Sequence, residues 1–412
     1  MNNLLTLAMI VKNEEFFLPQ CLESVKGIVD DIVIVDTGST DRTIEIAKAY
    51  GARVIEIAWP DDFAKARNVG LEAVKTPWVL VMDADEELVR EDLGILEKAI
   101  QMPQADAYNI RIVSVMDRAE DISESYVTRL FRSHPKVRYD GAVHEQIFNS
   151  LSALGFKLAH IPMRLIHKGY LGSVVQSRNK TERNRKLLEE QVQENPKNGY
   201  MTWQLAQTYY GEGRFTDAID ASKKALRIFD VTNPLWVLAQ VTYARSLMAI
   251  SQPKKALRIL AEGKLSHPQY TDFFYLEGII LMGQEKWDDA RKAFLHCLEL
   301  GEASAYLMTD TGVGGFKALY RIAQTYIQQQ DGKNSMAYLL LCIKQQPHYR
   351  SAWDAIFDLL AGSTIKAVAD TLLFSLTAEQ AVSTLKVWPN LTQNEQHVLT
   401  YLTETYLTGK VD

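Results

Sequence analysis

Cysteine is scarce in this chain, with Cys21, Cys297 and Cys342 the only three among 412 residues. Odd in number and widely spaced, they exclude a disulfide framework. They fit a reducing, cytoplasmic setting in which each thiol serves as a small buried hydrophobe. Long apolar runs are missing as well, and no stretch approaches the ~20 residues that a membrane-spanning helix needs. The N-terminus has no basic start and meets Lys12 directly after Val11, too early for a signal peptide. A basic excess is also absent: 45 Lys and Arg against 51 Asp and Glu leave a net charge of −6, which argues against general nucleic-acid affinity. What remains is the composition of an ordinary globular protein, long enough for two or three domains.

Two rhythms run along the chain. In the first 115 residues, apolar runs (Leu4–Val11, Asp31–Asp36, Arg53–Ile57, Trp78–Met82, Ala107–Val115) alternate with amphipathic stretches near Glu15–Lys26, Asp41–Tyr50, Asp62–Lys75 and Arg90–Met102. Such alternation predicts a mostly parallel sheet covered on both faces, with ligands beyond the carboxyl ends of the strands. Polar clusters fall at those ends: Lys12-Asn13-Glu14, Asp36 to Asp41, and Asp83-Ala84-Asp85. No glycine occurs from Val11 to Glu15, which excludes a dinucleotide-binding fingerprint and a P-loop there. From Ser114 to about Tyr170 the pattern loosens into short strands and turns. Ser173–Gln193 is polar and helical, with Arg178, Lys180, Arg183, Arg185 and Lys186, and reads as a solvated connecting helix, with a phosphate-binding role as the competing reading.

Beyond Asn195 the rhythm is helical and repetitive. A small residue recurs at Ala206, Ala244, Gly278 and Ala323, in steps of 38, 34 and 45. With Tyr209, Gly213, Phe215, Ala218 and Ala225 in the first frame, this is tetratricopeptide spacing, the longer steps implying longer connections. Small residues suit helices that approach closely, and stacked pairs form a superhelix that binds peptides or another subunit. Asp310 to Gly315 is a flexible stretch by composition.

Asp83 and Asp85 close an apolar run. In an extended chain they would project together and hold a divalent cation; the competing reading makes them, with Glu86 and Glu87, the acidic start of a helix over 86–102. Asp36 ends a strand, where a carboxylate needs a partner, and could accept a nucleobase N–H, while Gly38 allows a tight turn and Ser39 or Thr40 caps the next helix. The helix start near Lys65 and Arg67 suits either a diphosphate or surface ion pairs.

Together the runs Ala8 to Glu14, Val35 to Thr43, Asp62 to Asn68, Met82 to Glu86, Thr128 to Arg132 and Tyr139 to Glu145 resemble a family 2 glycosyltransferase. The branch they resemble holds lipopolysaccharide-core glucosyltransferases and the sublancin-type (glycocin) peptide S-glycosyltransferases, the latter followed by tetratricopeptide-like helices. The resemblance implies an α/β GT-A domain over 1–172, a connecting helix over 173–195, an all-α tetratricopeptide-like superhelix over 196–350 and C-terminal helices over 351–412. It implies inverting transfer of a hexose from a UDP-sugar, with Mn²⁺ or Mg²⁺ as cofactor. By position, Val11, Asn13, Glu14, Asp36, Gly38, Ser39, Lys65, Arg67, Asp83 and Ala84 would bind the donor nucleotide, with Asp36 at the uracil and Asp83 near the ribose. Asp85 would bind the metal, joined by His167. Glu145 would be the general base, with His144 orienting its neighbours; the competing reading of Glu145 is a salt bridge to Arg129 or Arg132. Relatives often carry a second Asp where this chain has Thr37.

The expected acceptor is a Cys or Ser of a bacteriocin-type peptide, held by the repeats. A cell-surface or lipid-linked saccharide is the alternative, and a non-catalytic nucleotide-sugar-binding scaffold is the reading from another class. An exposed repeat surface makes a homodimer reasonable.

Overall fold

A computed structural model of the chain describes residues 4–115, 122–168, 174–304, 307 and 310–408. The boundary expected at 172/173, Gly169-Tyr170 and the side chains of Arg178 and Lys180 lie outside the described residues. The chain divides into two compact units, Met1–Phe229 and Asp230–Asp412.

In the first unit, β1 (Leu5–Val11), β2 (Asp31–Asp36), β3 (Arg53–Glu56) and β4 (Trp78–Val81) are parallel neighbours in the order β3-β2-β1-β4. Their register pairs Val11 with Asp36 and Ala8 with Val81, so the segments leaving β1, β2 and β4 emerge along one edge. Alternation along the strands fills two cores. Leu7, Ile34, Trp78 and Leu80 face one side, packed with Leu18 and Leu22 of α1 (Leu18–Ser24). Ala8, Val79 and Val81 face the other. Helices α2 (Thr43–Ala49) and α3 (Phe63–Glu72) lie where the periodicity predicts them.

Past β4 the structure departs from expectation. The helix expected over 86–102 is instead β5 (Glu86–Leu88), a 3₁₀ turn at Arg90–Asp92 and α4 (Leu93–Gln101). β6 (Ala107–Val115) falls on the last of the expected apolar runs, but the region after it, expected to hold only short strands, contributes two long ones, β7 (Ile122–Arg132) and β8 (Leu158–His167). The sheet continues β4-β7-β6-β8-β5, with β4·β7, β6·β7 and β5·β8 antiparallel and β6·β8 parallel. Pairing of Glu86 with His167 on β8 overrides the helical preference of an acidic run, because a distant strand supplies the backbone partners. After α5 (Phe148–Ala153), α6 (Val174–Glu194) leads to α7 (Gly199–Gly211) and α8 (Phe215–Ile228), the helical pair that completes this unit. On α6, Arg185 pairs with Glu189 and Glu212, and Lys186 with Glu182.

The second unit is helical among its described residues: α9 (Leu235–Ala249), α10 (Pro253–Ser266), α11 (Thr271–Met282), α12 (Trp287–Leu300), α13 (Phe316–Gln328), α14 (Gly332–Gln345), α15 (Arg350–Leu359), α16 (Ile365–Leu372), α17 (Ala378–Val387) and α18 (Gln393–Leu402). The recurring small residues Ala206, Ala244, Gly278 and Ala323 fall in α7, α9, α11 and α13, the first helix of each pair. A Cβ on Gly278 would lie 2.6 Å from the ring of Phe294 on α12, so close helix approach is the reason for the glycine. Seven positions after each small residue comes a turn residue with positive φ: Gly213 (75°), Ser251 (57°), Glu285 (59°) and Gln330 (60°). The left-handed conformation costs a non-glycine residue about 1–2 kcal/mol, partly balanced by the greater chain entropy glycine loses on folding. Glu285→Gly is therefore expected to stabilise the chain by about 0.5–1 kcal/mol, read as a higher midpoint in urea unfolding. No gain at Glu285 would mean that the turn is relaxed.

The segment expected to be flexible is packed where it is described. Val313 is buried, the Gly314 amide donates to Glu302, and a Cβ on Gly314 would lie 2.1 Å from the backbone of Gly301. Composition signalled mobility, but here the glycines make room for close contacts, Gly314 with backbone, Gly312 with the Phe316 ring and Gly315 with the Gln345 side chain.

Candidate active site

At the ends of β1 and β2 the two loops are stitched together. Asn13, at φ 55°, donates its amide to the Ser39 hydroxyl (2.9 Å) and accepts from the Thr40 amide (2.7 Å). The Glu14 amide donates to the Thr43 hydroxyl. Ser39 and Thr40 thus tie loops together rather than cap α2; the Thr43 amide is received by Asp41. Asp36 is 1% exposed; its Oδ1 accepts from the amides of Gly38 and Ser39, both at 2.9 Å. Its Oδ2 is buried with no partner among the described residues. A buried carboxylate oxygen left unpaired is costly, and a nucleobase N–H would satisfy it.

Beyond β4 the acidic cluster divides its work. The strand ends at Val81, so Asp83 and Asp85 lie in a turn and do not share one extended face. Asp83 is held between two guanidinium groups: Arg67 Nη2 on Oδ1 and Arg129 Nη2 on Oδ2, each at 2.7 Å. Burial opposes its ionisation, but Arg129 and Arg67 more than offset that and hold the carboxyl well below the usual range. Arg129 also meets Glu86 at 2.7 Å, and Glu86 Oε2 accepts from the Asp83 amide. Glu86 is 2% exposed; burial pushes its carboxyl up, with Arg129 opposing and Asp83 adding to the rise. Glu86 is therefore not the solvated start of a helix but a buried strut of the site.

Asp85 turns to a different partner, its Oδ2 lying 3.3 Å from His167 Nε2. His167 Nδ1 lies 3.3 Å from the Ser114 hydroxyl. Burial disfavours the imidazolium, but the bond to Asp85 and its charge outweigh it and move the imidazole upward. A partly exposed carboxylate beside an imidazole is a donor set that fits Mn²⁺ or Mg²⁺. Among the described residues no cluster of three or more ligating side chains exists. Such ions are commonly bound by one or two side chains, with substrate phosphates and waters completing the shell.

Glu145 rides on a loop closed by a two-way backbone bridge between Asp140 and Gln146. Gly141 (φ 100°) and His144 (φ 53°) supply its sharp turns, and His144 itself is exposed. A Cβ on Gly141 would sit 2.6 Å from the end of Met201 on α7. Gln191 of α6 accepts from the Ala142 amide, and Tyr200 of α7 bonds Gln146. The first helical pair thus buttresses this loop. Glu145 Oε1 lies 2.5 Å from Arg67 Nε. Its ion-pair partner is Arg67, not the expected Arg129 or Arg132; Arg132 pairs with Asp106. Arg67, expected at a diphosphate, is engaged by carboxylates, and Lys65 stands on the surface near Asp62. Val11 and Ala84 are buried.

Residues 6–148 match the family model described as glycosyl transferase family 2, and residues 316–349, spanning α13 and α14, match a tetratricopeptide repeat. Over residues 6–148 the chain is similar to family 2 glycosyltransferases. The architecture is accordingly an α/β GT-A-type domain followed by tetratricopeptide-like helices. The chain is 36% identical over 228 residues to a TPR repeat-containing protein of Synechococcus elongatus, covering 54% of this chain and 56% of that one. It is 29% identical over 232 residues to the SPbeta prophage-derived glycosyltransferase SunS of Bacillus subtilis, covering 56% and 54%. The chain thus spans about half the length of the curated relatives it matches. Among solved structures, S. aureus TarS 1-349 in complex with UDP-GlcNAc aligns with TM-score 0.41 and 16% identity over 65% of this chain and 93% of that one.

Proposed function

We propose that this chain is a metal-dependent inverting hexosyltransferase that takes its sugar from a UDP-linked donor. The observation that carries the reading is the span of one guanidinium: Arg67 touches both Asp83, at the nucleotide edge, and Glu145. A base held beside the donor site is what direct displacement requires. In this reading Asp36 receives the uracil N–H through its unpaired oxygen and Asp83 lies toward the ribose. Asp85, with His167, holds Mn²⁺ or Mg²⁺, which when bound would neutralise charge on the departing diphosphate. Glu145 removes the acceptor proton as the acceptor attacks the anomeric carbon and the bond to UDP breaks. His144 orients the loop.

For the acceptor we favour a Cys or Ser of a bacteriocin-type peptide. Similarity to SunS and a helical region able to bind a peptide support this choice. Among the described residues no helix is long and apolar enough to cross a membrane.

Incubating the full chain with UDP-hexoses, Mn²⁺ and a Cys- and Ser-containing peptide should release UDP and add a hexose mass to the peptide. Addition to a saccharide instead would redirect the acceptor assignment. UDP binding with no donor turnover would replace the enzyme by a nucleotide-sugar-binding scaffold. Asp85→Ala should abolish the Mn²⁺-dependent part of UDP affinity, while binding in EDTA matches wild type. Unchanged Mn²⁺ dependence would remove Asp85 from the metal.

A further inference from the structure

Arg67 reaches Glu145 across 78 positions of sequence, and both side chains are largely buried, at 10% and 14% exposure. Its Nε takes Glu145 Oε1, its Nη2 takes Asp83 Oδ1, and its Nη1 is enclosed with no partner among the described residues. The Tyr139 ring centroid lies 5.6 Å from the guanidinium carbon. Two of its nitrogens are thus committed to carboxylates and the third is closed off from solvent, which suits a fixed strut better than a phosphate ligand. Glu145 itself sits on a loop, and a glutamate has three rotatable side-chain bonds. Fixing Oε1 selects one rotamer, while Oε2 is neither enclosed nor bonded among the described residues.

We propose that Arg67 is a positioning residue for Glu145, holding Oε1 so that Oε2 faces the acceptor, and tying the base to the nucleotide side through Asp83. The inference rests on the transferase reading above and assigns Arg67 a role other than donor binding. Lysine cannot replace it: an ammonium is a point charge, whereas the planar guanidinium spans two carboxylates. Asp83 is in turn fixed by Arg129, which stands on Glu86, so the strut is anchored at the end away from Glu145.

The test compares full-length wild type with Arg67→Lys, using the UDP-hexose that wild type consumes and UDP itself as the binding probe. A base displaced by ~1 Å costs on the order of 10²-fold, so kcat should fall by about that factor while UDP affinity stays within about threefold. UDP affinity falling in step with kcat, or kcat within about threefold of wild type, would overturn the proposal. A crystal structure of wild type with UDP and Mn²⁺ gives an answer that depends neither on the variant folding nor on turnover. Retention of the Arg67–Glu145 contact supports positioning, and Arg67 turned onto the diphosphate refutes it. Wild type inert toward every UDP-hexose would fail the transferase reading, and the same crystal structure would still decide where Arg67 points.

Discussion

Glu145→Gln is expected to lose sugar transfer by about 10²–10⁴-fold, the usual contribution of a general base, while binding UDP as wild type does. The substitution removes the proton-accepting charge but leaves an amide oxygen that can still accept from Arg67 Nε. The loop is held independently by the Asp140–Gln146 bridge, Gln191 and Tyr200, so its conformation should survive. Transfer measured by mass spectrometry and UDP affinity by calorimetry separate the two effects. A variant with wild-type kcat would show that Glu145 is only an ion-pair partner. Loss of UDP binding in parallel would instead place it on the donor side.

The second large effect concerns stability. Arg129→Met should destabilise the first unit by roughly 3 kcal/mol, the low end of the range for breaking a buried ion pair. The low end applies because Asp83 retains 35% side-chain exposure and is screened by solvent, whereas Glu86 at 2% is not. Unfolding in urea would measure the loss. Adding Glu86→Gln to Arg129→Met should recover at least half of it, since the damage is an uncompensated buried carboxylate. The pH dependence carries a definite sign. Burial raises the Glu86 carboxyl in the folded state, and loss of the opposing guanidinium raises it further. An acid with a raised folded pKa binds its proton more tightly when folded. Arg129→Met should therefore regain stability as pH falls from neutrality toward the ordinary glutamate value of ~4.3, and show its deficit fully above neutrality. A pH-independent deficit, or no recovery with Glu86→Gln, would assign the loss to packing.

The contrast between Asp36 and Glu86 shows why one acidic residue was readable and the other was not. Asp36 follows three buried strand residues and precedes Thr37-Gly38-Ser39, and the structure places it at the head of a tight turn with one oxygen unpaired. Each of those signals is local. Glu86 looks like a helix start because helix signals are also local, yet its strand depends on β8 and its ion pair on Arg129, 43 positions away. Arg129 lies inside a motif that marked the family, and nothing in its neighbours names its partners.

The sequence by itself determined the alternation of strands and helices, the edge at which polar clusters gather, and the repeat whose small residues keep step from α7 to α13. These follow from hydrophobic period and backbone sterics, which act over a few residues. Only the tertiary structure decided which charge meets which. By charge alone Arg67 suits a diphosphate and a carboxylate equally. The choice was made when α3, the turn after β4 and the loop at 140–146 were brought within one side chain's reach, by packing that the charges themselves do not encode.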